Sequence, residues 1–83
     1  MTKIESGIKF VRSNIDQQVM EIERTQKKIQ GLLDQLNDDF SLDIAERISK
    51  ESNRLPRLFA ELEGLNNQLN MLLILNKEAE QND

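Results

Sequence analysis

Arg47, Lys50, Arg54 and Arg57 recur at three- and four-residue steps, the spacing that lines side chains along one face of a helix. A row of cations of this kind can hold phosphate or carboxylate, as an RNA backbone or an acidic partner would present them. Arg24, Lys27 and Lys28 are expected at a similar level on a neighbouring helix. The row also carries its own counter-ions, since Glu21, Glu23, Glu46 and Glu51 are interleaved with it. Exposed pairs of this sort are common and weak, so the stripe ranks as a solvated face first and a binding stripe second.

Other chemistry has little to build on. The chain has no His and no Cys, which removes the commonest general base, the commonest zinc ligand and any thiolate. Acidic residues are plentiful, but none is set apart as an acid–base pair. There is no glycine-rich phosphate loop, no metal-ligand spacing and no nucleophile beside a base. Trp and Tyr are absent and only three Phe are present, so the aromatic lining usual for a small-molecule pocket is missing. The sequence therefore predicts no catalytic residue, no metal, no cofactor and no small-molecule substrate.

The elements that must position these residues are written in sevens. Met1, Ile8, Ile15, Ile22, Ile29 and Leu36 recur at strict seven-residue spacing, and Ile4, Val11 and Leu32 fill a companion row that Gln18 and Thr25 interrupt. Val19 and Leu33 broaden the stripe to one side. Ile44, Ile48, Leu55, Leu58, Leu62, Leu65, Leu69 and Leu72 make a second array. Between the two, Asn37-Asp38-Asp39-Phe40-Ser41 is turn-forming, because Asn, Asp and Ser compete for backbone hydrogen bonds. Pro56 removes an amide hydrogen and disfavours a helical residue before it.

The reading is all-α: an antiparallel, coiled-coil-like hairpin forming one domain over residues 1–83. It has a helix at 2–36, a turn at 37–41, a helix at 42–53, a kink or break before Pro56, a helix at 56–79 and a frayed tail at 80–83. Near-equal arms and a short turn make residue i face roughly residue 78 − i. Thr25 and Gln18 then meet the stretch from Glu51 to Pro56, and that middle layer is expected to be the most polar and the least tightly packed. Gly31 and Gly64, inside the helices, are expected to permit close helix approach.

A lone hairpin buries one stripe per helix, and near its free ends the sequence carries more. Met71, Leu72, Leu73, Ile74 and Leu75 are apolar around nearly the whole circumference, opposite Ile4, Ile8, Phe10 and Val11. Apolar surface of this kind marks an interface. The candidate partner-binding residues are therefore Ile4, Ile8, Phe10, Val11, Met71, Leu73, Ile74 and Leu75, covered by a second copy or by another protein's helix, with tight third-helix packing within one chain as the remaining alternative.

The formal net charge is −4, and it lies in the second half of the chain, which disfavours nucleic acid as a partner. The longest apolar run, Met71 to Leu75, is too short to span a membrane. The N-terminal residues lack the apolar stretch of a signal peptide, so a cytoplasmic location is expected, with signal-less export left open.

In length, acidity and plan, with Ser49-Lys50-Glu51-Ser52 to Leu75 similar in texture, the chain resembles the helical-hairpin chaperones of type III secretion. Those hold the amphipathic helix of a needle subunit before export. Its arm lengths and the stretch Glu61 to Asn67 are similar to the WxG-type hairpins of type VII secretion, with Phe40-Ser41-Leu42 where that family has Trp-x-Gly. Phe10 to Leu36, the turn and the second arm are similar in plan to the RNA-regulating four-helix dimer of the Rop type, and Leu32 to Asn37 resembles its pre-turn stretch. These resemblances imply a non-enzymatic adaptor or chaperone that sequesters an amphipathic helix, with an RNA-binding dimer or a structural assembly subunit as alternatives.

Overall fold

The computed structural model describes residues 2–81. Two helices, α1 (Lys3–Asp38, 36 residues) and α2 (Leu42–Gln81, 40 residues), lie antiparallel and pack only against each other. Among the described residues there is no strand. The molecule is 65 × 17 × 14 Å, close to the length of its helices at ~1.5 Å per residue. Its radius of gyration is 18.9 Å, against ~12 Å for a globular chain of this size. The shape follows from the sequence: each heptad stripe has one neighbour to pack against, so nothing folds the rod into a sphere.

Thr2 starts α1, its hydroxyl oxygen accepting the Glu5 N–H at 3.1 Å, which satisfies one of the helix's orphan donors. At the other end Asp39 leaves the helix in an extended conformation (φ −149°, ψ 105°), and its N–H donates to the Gln35 carbonyl at 3.0 Å. The Ser41 carbonyl accepts the Ala45 N–H at 3.1 Å to open α2, and Asp43 adds negative charge to the first turn. The reversal is thus confined to residues 39–41, inside the expected 37–41. Asn37 and Asp38 stay helical, since their exposed side chains lose nothing by remaining in the last turn.

Cross-helix partners confirm the register. Lys28 meets Glu51, Gln18 meets Leu58 and Glu61, Arg54 meets Glu21, and Gly7 lies over Leu72. Each lies within three residues of the partner that the relation 78 − i assigns.

Three expectations are corrected. Of the kink or break expected before Pro56, the break does not occur: α2 is helical from Leu42 through Gln81 with Pro56 inside it. Proline deprives the Ser52 carbonyl of one donor, but its ring lies on the exposed side. The neighbouring turns are held to α1 by Leu55, Leu58 and the ion pairs of Glu51 and Arg54. The expected frayed tail is helical through Gln81; residues 82 and 83, like Met1, lie outside the described residues. The middle layer is polar, as read, yet it is the best-buried part of the rod: Thr25 is 3% exposed, Leu58 4% and Ile22 5%. The Thr25 hydroxyl donates to the Glu21 carbonyl at 2.9 Å, so burying it strands no donor.

Candidate interaction surfaces

Helix geometry divides the hairpin into a buried seam, two flanks and two backs. The seam on α2 is made by two seven-residue rows, Ile48–Leu55–Leu62–Leu69 and Ile44–Glu51–Leu58–Leu65–Leu72. Glu51 thus holds an apolar position, and its side chain is only 13% exposed. Residues one place before or three after a seam row form one flank of each helix, and those four after the other row form the opposite flank.

The first flank is polar and stitched. Lys28 Nζ lies 2.9 Å from Glu51 Oε1, and Arg54 Nη1 lies 3.2 Å from Glu51 Oε2. Arg54 Nη2 reaches Glu21 Oε1 at 3.3 Å, and Arg24 Nη1 reaches Glu21 Oε2 at 3.1 Å. The result is a chain of five charges, Arg24–Glu21–Arg54–Glu51–Lys28, that crosses between the helices. Beyond it Gln18 Nε2 donates to the Leu58 carbonyl at 2.9 Å and to Glu61 Oε2 at 3.0 Å. A shallow groove of about 600 Å³ lined by Asn14, Gln17, Gln18, Glu61 and Gln68 continues the flank.

The Lys28 ammonium and then the Arg54 guanidinium hold the Glu51 carboxyl below its ordinary 4.5, against the opposing pull of burial. A carboxylate so placed stays ionised at neutral pH.

The candidate basic stripe is spent on this network and on its own helix. Arg47 pairs with Asp43 at 3.2 Å, Arg54 bridges Glu51 and Glu21, and Arg57 approaches Glu61 at 3.9 Å. Lys50 alone of the four has no ion pair among the described residues. It shares a hollow over Leu32 with Lys28, Arg47 and Glu51, where the carboxylate already supplies the anion.

The open end matches the apolar surplus read from the sequence. Phe10 is 67% exposed, Met71 66% and Ile74 58%, with Leu73 and Leu75 also exposed. Ile4 and Ile8 are half-buried in the seam. Val11 is a correction: at 2% exposed it is the most buried residue of the chain's core. It lies in the same seven-residue row as Thr25 and Leu32, so it cannot touch a partner without opening the hairpin. Gly7 fits the end's geometry: a Cβ there would meet Leu72 at 3.6 Å, so its absence leaves a notch between Phe10 on α1 and Met71 and Leu75 on α2, with Leu72 as floor. Gly31 and Gly64 have open space where a Cβ would sit; they do not serve the close approach expected of them.

The second flank holds three residues that the sequence singles out, Val19 and Leu33 as a broadening of the stripe and Leu73 as part of the open end, without joining them into one face. It carries Glu5, Arg12, Val19, Gln26 and Leu33 on α1 and Ala45, Ser52, Phe59, Asn66 and Leu73 on α2, each one residue after a seam position. No hydrogen bond or ion pair crosses between the helices here among the described residues. Phe59 is 48% exposed, and Phe40 and Leu42 extend the apolar surface to the turn. The signal was legible as a second apolar set at heptad spacing, offset by four from the first.

No protein-family model, curated protein or solved structure matches the chain. No helix among the described residues is long and apolar enough to cross a membrane.

Proposed function

We propose that this helical hairpin is a non-enzymatic protein-interaction module, an adaptor or chaperone that holds an amphipathic helix of a partner at its open end. The observation that carries this is the exposed set Phe10, Met71, Ile74 and Leu75, three of them at the i, i+3, i+4 spacing of a helix ridge. A ridge beside a glycine notch suits a second helix laid into it, the helix-in-groove mode of recognition. The resemblance to secretion chaperones makes a bacterial secretion apparatus the setting to examine first, and the cytoplasm the place where the partner is met.

The RNA-regulator reading has less support, because three of the four stripe cations are ion-paired. A structural subunit would polymerise without any other protein. A photo-crosslinking residue in place of Phe10, introduced in the source cells, should trap a discrete partner, and Ile74→Glu in the same chain should abolish trapping while helicity is retained. Trapping that survives Ile74→Glu but disappears with Arg57→Glu or in high salt would move the function to the basic face.

A further inference from the structure

The second flank carries an inference that goes beyond partner capture at the open end: we infer that it is a self-association face, occupied by a second copy of this chain in a two-fold four-helix bundle. Exposed area argues for an occupant. The chain exposes 6447 Å², about a quarter more than the ~5,100 Å² of a folded monomer of its mass, 9.6 kDa. Two copies that each hide this excess would bury ~2,700 Å² together, which falls in the range of obligate homodimers.

Composition selects the face. From the level of Leu73 to that of Leu33 the second flank's inner rows hold two charges, Glu5 and Arg12, both toward the open end, whereas the inner rows of the first hold Glu21, Lys28, Arg47, Arg54 and Glu61. Depletion of charge around a central aromatic residue is the signature of an interface core.

Symmetry selects the occupant. Val19 and Phe59 sit at the same level near mid-length. Leu33 follows Val19 by fourteen residues toward the turn, and Leu73 follows Phe59 by fourteen toward the open end. Both steps are ~21 Å. A two-fold axis through the Val19–Phe59 level, crossing the rods, stacks Phe59 on its own mate and brings each Leu73 to the level of the second copy's Leu33 and Ala45. The patch is complementary to itself, as an isologous interface must be. Phe10, Met71 and Ile74 lie off this face and remain open, so both surfaces can be used at once.

Sedimentation equilibrium on the full chain at micromolar concentration should give about twice the 9.6 kDa chain mass. Phe59→Glu should weaken the dimer at least about 100-fold, while Ile74→Glu leaves it intact. Because the chain has no cysteine, a second test does not depend on that variant folding. Phe59→Cys should oxidise to a disulfide-linked dimer, and Leu73→Cys, placed ~40 Å from its mate, should not. A monomer at these concentrations, linkage through Leu73→Cys in place of Phe59→Cys, or a dimer lost on Ile74→Glu and kept on Phe59→Glu would each overturn the inference. Failure to dimerise with partner trapping at Phe10 intact would leave the open-end reading standing.

Discussion

The two flanks of this hairpin run the same length between the same two helices and are made of residues equally far from the seam. One is closed by a chain of five alternating charges and the Gln18 hydrogen bonds. The other carries Val19, Leu33, Phe59 and Leu73 with nothing polar reaching across. The difference shows how a two-helix protein divides its work. A charged flank fixes register, because Lys28–Glu51 and Glu21–Arg54 reward one alignment of the heptads over its seven-residue slips, while adding little net stability where solvent reaches. An apolar flank fixes nothing inside the chain and is available to another molecule.

The largest effect should come from the seam that both flanks share. Leu58→Ala, at the best-packed level, should cost roughly 2–5 kcal/mol, read by urea denaturation at fixed protein concentration. A cost under about 1 kcal/mol would mean that the flanks, and not the seam, hold the hairpin together. Pro56→Ala restores a donor to the Ser52 carbonyl in a helix that is already continuous. It should stabilise the protein by up to ~3 kcal/mol; destabilisation would show that proline sets a bend the seam requires.

Glu51 tests the charged flank. Its folded-state pKa is depressed, so its contribution to stability is fully present above its ordinary 4.5 and is lost as pH falls through the lower folded value. The urea midpoint should therefore fall below about pH 4.5 in the wild type. In Glu51→Gln it should start lower at neutral pH and show less of that acid limb. Equal acid limbs in the two proteins would mean that Lys28 and Arg54 hold the carboxylate no more in the folded chain than in the unfolded one. The smallest effect is at Gly64, which faces open space: Gly64→Ala should stabilise by ~1 kcal/mol through helix propensity alone, and a loss would reveal close packing at that position.

Much of this was legible in the residues themselves. The seven-residue rows gave the helices, and arm length with a short turn gave a register good to within three residues. What escaped had physical causes. Local propensity at Pro56 leaves a kink and a break equally open, because it takes no account of the seam that holds the turns on either side and keeps the helix continuous. Thr25 and Gln18 marked the middle as polar, but only the structure shows the hydroxyl satisfied within its own helix and the amide bridged to Leu58. Glu51 is the seventh residue from both Ile44 and Leu58, so its seam position is legible in the heptads. What the heptads do not show is Lys28, its partner on the other helix, which together with Arg54 on its own helix neutralises the charge. Val11 neighbours the open end in sequence, but its place in the companion row with Thr25 and Leu32 puts it in the core.

Isotope-filtered NOE spectroscopy on a mixture of labelled and unlabelled chain tests the unequal flanks most directly. Intermolecular contacts should appear between the Phe59 rings, with further contacts from Leu73 to the level of Leu33 and Ala45, and be absent at Phe10, Met71 and Ile74. Intermolecular contacts confined to Met71 and Ile74, or none at all, would contradict the account.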